Sequence, residues 1–138
     1  MDQIATVEAP PATSLPRKSL SGPALRTFFR IAKLWSLSVD EQMTLLGLSA
    51  RSTFFKWKQN PEVVLRRDTL ERISYIVGIY KALQILLPDE RAADEWLKRP
   101  NTSPLFGGRS ALDRLMSGQV ADLFLVRQYL DAECGGLA

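Results

Sequence analysis

Between residues 37 and 61 the chain reads LSVDEQMTLLGLSARSTFFKWKQNP, and its second half carries Arg51, Lys56 and Lys58 with no acid from Ser49 to Pro61. Cationic side chains on a short helix that follows a tight turn suit the major groove of DNA. Arg51 and Ser52 fall in the first turn of that helix, where side chains reach base edges. Arg pairs bidentately with guanine, and Ser serves several bases. Phe55 is placed for a thymine methyl. Lys56 and Lys58 suit phosphates, which add affinity without sequence information. The pattern therefore assigns Arg51, Ser52, Phe55, Lys56 and Lys58 to DNA contact. The same helix, Gly-turn, helix arrangement also occurs in bundles that never touch DNA, with Phe54, Phe55 and Trp57 all in the core.

Other chemistries lack their residues. There is no His, and Cys134 is the single cysteine. A His/Cys zinc site or a Ser-His or Cys-His nucleophile pair cannot be assembled within one chain. No carboxylate pair or phosphate-binding glycine loop stands out, so no catalysis, cofactor or metal is expected. One cysteine leaves no internal disulfide framework. No apolar run approaches the roughly 20 residues of a membrane span, and residues 1–9 lack the order of a signal peptide. The expected location is cytoplasmic. A net charge of +3 is compatible with nucleic acid without requiring it.

The elements that must position these groups are helical. Residues 1–21 hold Pro10, Pro11 and Pro16 without any period and read as a flexible arm. Arg17 and Lys18 at its end are either solvated or within reach of a phosphate backbone. A helical period begins at Pro23, with Leu25, Phe28, Phe29, Ala32 and Trp35 on one face. Ser38 and Glu41 form a capping box, Gly47 closes that helix with a left-handed cap, and Ser49 caps the next. From residue 67 to 87 a long helix is apolar around most of its circumference, through Ile76, Val77, Ile79, Tyr80, Leu83, Ile85 and Leu86. Such a helix is either the centre of a bundle or a dimer interface. A helix at 89–97, a loop at 101–109, a short helix capped by Ser110 and Asp113, and a last helix at 119–133 complete the chain. No segment alternates with period two. The expected fold class is an all-α helical bundle, with an arm at 1–21, a helix-turn-helix region and long connecting helix at 22–87, and a C-terminal helical domain at 88–138.

Two stretches together resemble the Xre-like antitoxins of the MbcA/ParS/Xre group, partners of RES-domain toxins. The first is LLGLSARSTFFKWKQNP. The second, EWLKRPNTSPLFGGRSALDRLMSGQVADLFLVRQYLDA at residues 95–132, is similar to the toxin-binding domain of that group. It presents Trp96 at a helix end, Asn101 in a loop, Gly107 and Gly108 before a short helix with Leu112 and Leu115, and Gly118 at the entry to the last helix. The resemblance covers about residues 22–138. Ala111 stands where the family often has Pro, a change that touches only fine loop geometry because Ala is an excellent helix former.

The resemblance implies a type II antitoxin that neutralises a RES-domain, NAD-consuming toxin. It further implies repression of the antitoxin's own operon at operator DNA, as a homodimer or a toxin–antitoxin hetero-oligomer. It implies that residues 126–138 reach the toxin's active-site cleft, where Arg127, Gln128, Asp131 and Glu133 are the polar groups. A frayed end at 135–138 is the plainer alternative. The loop adds Leu105, Phe106 and Arg109 as candidate toxin contacts. Leu105 and Phe106 are either an exposed interface or a buried staple for the short helix. The competing reading of the whole chain is a stand-alone helix-turn-helix regulator without a toxin partner.

Overall fold

The computed structural model describes residues 16–136; most of the expected arm lies outside them. Among the described residues there are seven helices and no strand: α1 (Arg17–Leu34), α2 (Val39–Leu46), α3 (Arg51–Gln59), α4 (Arg67–Leu86), α5 (Glu90–Trp96), α6 (Ala111–Leu115) and α7 (Val120–Gly135). One isolated antiparallel bridge joins Pro100 to Ser110 across the loop at 101–109.

Helix α1 starts at Arg17 rather than Pro23, and Pro23 lies inside it. Proline removes a helical N–H and leaves the carbonyl one turn back without its partner. That carbonyl belongs to Ser19, which is exposed and open to water. The turn upstream is secured by tertiary contact. Ser21 is fully buried, accepting from the Leu65 N–H at 2.8 Å and donating to the Arg17 carbonyl at 2.5 Å.

Helix α2 begins as its sequence requires. The Ser38 N–H donates to Glu41 Oε1 at 2.8 Å, and the Glu41 N–H donates to Ser38 Oγ at 3.1 Å. It ends at Gly47 with φ +75°, where the Leu48 N–H reaches the Met43 carbonyl at 2.9 Å. Helix α3 carries no side-chain cap. Ala50, not Ser49, occupies its cap position in an extended conformation, which sets the Ser49 hydroxyl one residue too early. Phe54 anchors α3 at 1% exposure, edge-on to Phe29 of α1 with ring centroids 5.7 Å apart. Trp57 is half-buried against the same core.

Helix α4 is the centre of the bundle, contacted by α1, α2, α5 and α7. Ile73, Ile76, Ile79 and Leu83 are buried, whereas Ile85 stays 63% exposed. Burial of each such side chain contributes about 1.5–3 kcal/mol. Helix α7 runs alongside α4 in the same direction. Arg72 meets Gly118, Arg127 meets Ser74, and Cys134 meets the Ala82 carbonyl. No helix among the described residues is long and apolar enough to cross a membrane.

Candidate functional site

The outer face of α3 is built by elimination. Phe54 turns inward, so Arg51, Ser52, Phe55, Lys56 and Lys58 remain exposed together. Arg51 is held from two sides. Its Nη1 lies 2.7 Å from Asp40 Oδ1 of α2, and its Cζ lies 5.8 Å from the Phe55 ring centre. An ion pair this exposed contributes about 0.2–1 kcal/mol, so a better anion displaces Asp40 at little cost. Lys58 leans back over the Phe29 ring of α1, with Nζ 4.7 Å from its centre. Its charge is therefore offset towards α1, while Lys56 is exposed.

The toxin-contact candidates divide into two places. Arg127, Gln128 and Asp131 line one groove between α4 and α7, together with Tyr75 and Phe124. Glu133 is exposed further along α7. Tyr75 and Phe124 pack edge-to-face with centroids 5.8 Å apart, and Phe124 remains 44% exposed. Neither ring was foreseen as part of a site. The signal was the excess apolar surface of α4, which makes a groove only once α7 is laid beside it.

Gly78 explains how Arg127 lies in this groove. A Cβ at residue 78 would sit 2.3 Å from Arg127 Nε. The absent side chain lets the guanidinium cross α4, reaching the Ser74 carbonyl at 3.4 Å and Asp131 at 3.3 Å. Gly78→Ala is therefore expected to push Arg127 into solvent and reshape the groove. Stability should move by less than about 1 kcal/mol, because Ala gains roughly that much helix propensity while the lost bond is long and exposed. Thermal unfolding together with toxin titration checks the separation: a near-native melting curve with weakened toxin binding.

The loop at 101–109 is the second place. Arg109 is exposed and 3.7 Å from Asp113, and Leu105 is half-buried. Phe106 is not an exposed contact. It is 5% exposed, edge-on to Trp96 at 5.9 Å and to Tyr129 at 5.3 Å. The burial has a local cause. The Gly108 N–H turns back to the Asn101 carbonyl at 2.9 Å, and Arg114 donates to the Leu105 carbonyl at 2.9 Å, folding the loop inward. Arg114 also pairs with Asp122 at 2.8 Å. The Ser117 hydroxyl, and then Arg114, hold the Asp122 carboxyl below its ordinary range against the opposing effect of burial.

A basic helix-turn-helix is thus joined by one central helix to a C-terminal helical module. Residues 14–78 match the antitoxin Xre-like helix-turn-helix domain. Residues 82–136 match the antitoxin Xre/MbcA/ParS C-terminal toxin-binding domain. The chain is also 54% identical over 112 residues to Uncharacterized protein y4oB of Sinorhizobium fredii (strain NBRC 101917 / NGR234), a span covering 81% of this chain and 84% of that one. The chain belongs to the Xre/MbcA/ParS family of antitoxins.

Proposed function

We propose that this antitoxin neutralises a RES-domain, NAD-consuming toxin through its C-terminal half and represses its own operon through α3. One observation carries the reading: an acid-free, exposed, basic α3 and a toxin-binding module share a single chain and a single central helix. The α4–α7 groove is the toxin-contact surface, with Tyr75 and Phe124 as apolar anchors and Arg127, Gln128 and Asp131 as polar partners. Operator binding as a dimer suits palindromic half-sites about one DNA turn apart.

The deciding experiment co-expresses the chain with the product of the adjacent gene and follows NAD. Co-purification with NAD preserved supports the reading. Specific DNA binding without a co-purifying partner supports the stand-alone regulator instead. The two surfaces are separable in principle. Arg51→Ala with Lys56→Ala is expected to lower operator affinity on the order of 100-fold, since a bidentate base contact contributes about 1–3 kcal/mol and a phosphate contact adds to it. Neutralisation of the toxin should be unchanged. Loss of both activities would mean that α3 is part of the toxin interface.

Insertion of the chain end into the toxin cleft belongs to the same proposal. Its test is a truncation after Cys134 rather than after Tyr129. Leu130 is 1% exposed and Cys134 Sγ donates to the Ala82 carbonyl, so the shorter chain would lose core as well as tail.

A further inference from the structure

Away from α3, four cations gather, among the described residues, where α1 and α4 begin. Arg17 and Lys18 open α1, and Arg66 and Arg67 open α4; all four are exposed. The two helix starts are far apart in sequence but meet at one buried hydroxyl. Ser21 Oγ receives the Leu65 N–H and donates to the Arg17 carbonyl, so the backbones at 17 and 65 are separated by a single oxygen. The acid among them is Asp68, 3.8 Å from Arg66 and 68% exposed. Four like charges around one acid repel one another unless an anion joins them.

The same corner is tied to α3. Residues 60–66 run directly from the end of α3 to Arg66. Glu62 in that strap is paired with Arg26 of α1, and its carboxylate oxygens fill the space over Gly22, 3.0 Å from where a Cβ would sit. The pairing neutralises the acid of the strap and fixes the strap against α1. The strap that follows the C-terminal end of α3 is therefore fixed against α1 on its way to the basic corner.

We propose that Arg17, Lys18, Arg66 and Arg67 form a second contact to the DNA phosphate backbone, flanking the contact made by α3. This rests on the DNA-binding reading above and adds to it the residues that set affinity and register rather than sequence choice. Phosphate contacts do this work in most protein–DNA complexes, contributing half or more of the hydrogen bonds. The four residues should act through charge, with little preference for the sequence beneath them.

The test needs no knowledge of the operator. Binding of the full chain to a random-sequence duplex is measured across a salt series. Each phosphate contact contributes about 0.9 to the slope of log affinity against log salt. Arg67→Gln and Lys18→Gln are each expected to lower that slope by about one. Both positions are exposed, and unchanged far-ultraviolet circular dichroism confirms the fold. Arg91→Gln is the control. It removes the same formal charge from α5, which packs by the Leu34 end of α1, about 25 Å from Arg17 at helical rise. An equal drop in the control would make the effect one of net charge and overturn the proposal. Wild-type binding with slopes unmoved in both variants would overturn it while leaving α3 as the DNA contact. Unmoved slopes with weakened toxin binding would reassign the corner to an acidic protein surface. Absence of wild-type binding to any duplex, the operator included, would remove the DNA-binding reading and this inference together.

Discussion

Phe106→Ala is expected to destabilise the protein by about 3 kcal/mol or more, in line with large-to-small aromatic changes in cores. For a chain of this size that corresponds to a fall of roughly 10 °C in Tm. Two edge-to-face contacts are lost at once, to Trp96 from α5 and to Tyr129 from α7. Such pairs each contribute about 0.5–1.5 kcal/mol beyond area burial. Phe106 is what joins the loop to both helices, so the cavity left behind would have walls from three separate segments and little means of collapse. Leu105→Ala, at a half-buried neighbouring position, should cost clearly less. Urea unfolding of both variants checks the contrast. A cost below about 1 kcal/mol for Phe106→Ala would return that ring to the role of a surface contact.

The second large effect is expected at Arg72. Its Nη2 donates to the Gly118 carbonyl at 2.8 Å, just before α7, while Nη1 approaches the Thr44 and Leu45 carbonyls of α2 at 3.4 Å each. The guanidinium thus sits at the C-terminal end of α2, where unpaired carbonyls favour a cation. It also fills the space over Gly47, where a Cβ would lie 2.9 Å from Nε. Arg72→Met keeps the volume and removes the donors. A charge-assisted hydrogen bond to a part-buried carbonyl is worth about 1.5–3 kcal/mol, and the two longer approaches add little. A loss of about 2 kcal/mol is expected, with Arg72→Lys recovering part of it through one carbonyl. Amide hydrogen exchange gives the more specific readout. Protection should fall together at the end of α2 and the start of α7. A loss confined to one of them would show that Arg72 does not join the two.

Much of this architecture is legible in local sequence, because local hydrogen bonds make it. The Ser38–Glu41 box and the Gly47 cap are set by residues within a few positions of one another. What escapes the sequence depends on contacts between distant segments. The start of α1 relies on a hydrogen bond from Leu65 to Ser21, and nothing near Pro23 announces it. The burial of Phe106 depends on rings supplied by α5 and α7. Arg51 is legible as a cation, but its hold on Asp40 depends on the angle between α2 and α3. The groove at Arg127 needs a glycine in another helix. Sequence reading therefore found the exposed side chains of α3 and the polar residues of α7. It missed Tyr75 and Phe124, whose joint exposure is a property of two helices side by side.

The helix-turn-helix match ends at residue 78 and the toxin-binding match begins at 82, both within α4. The seam between the two family domains therefore runs through an unbroken helix, not a tether. A helix advances about 1.5 Å and turns about 100° per residue. Lengthening the seam by one residue would turn the rest of α4 by more than a quarter revolution about its axis, against the hold of Gly118 and α7 on Arg72 and Ser74. Adding four would bring the bearing back to within about 40° at a greater reach. The two halves are mounted on one screw, and the angle between them is written in its count of residues. A new C-terminal half grafted onto this helix would inherit its aim from the phase of the graft.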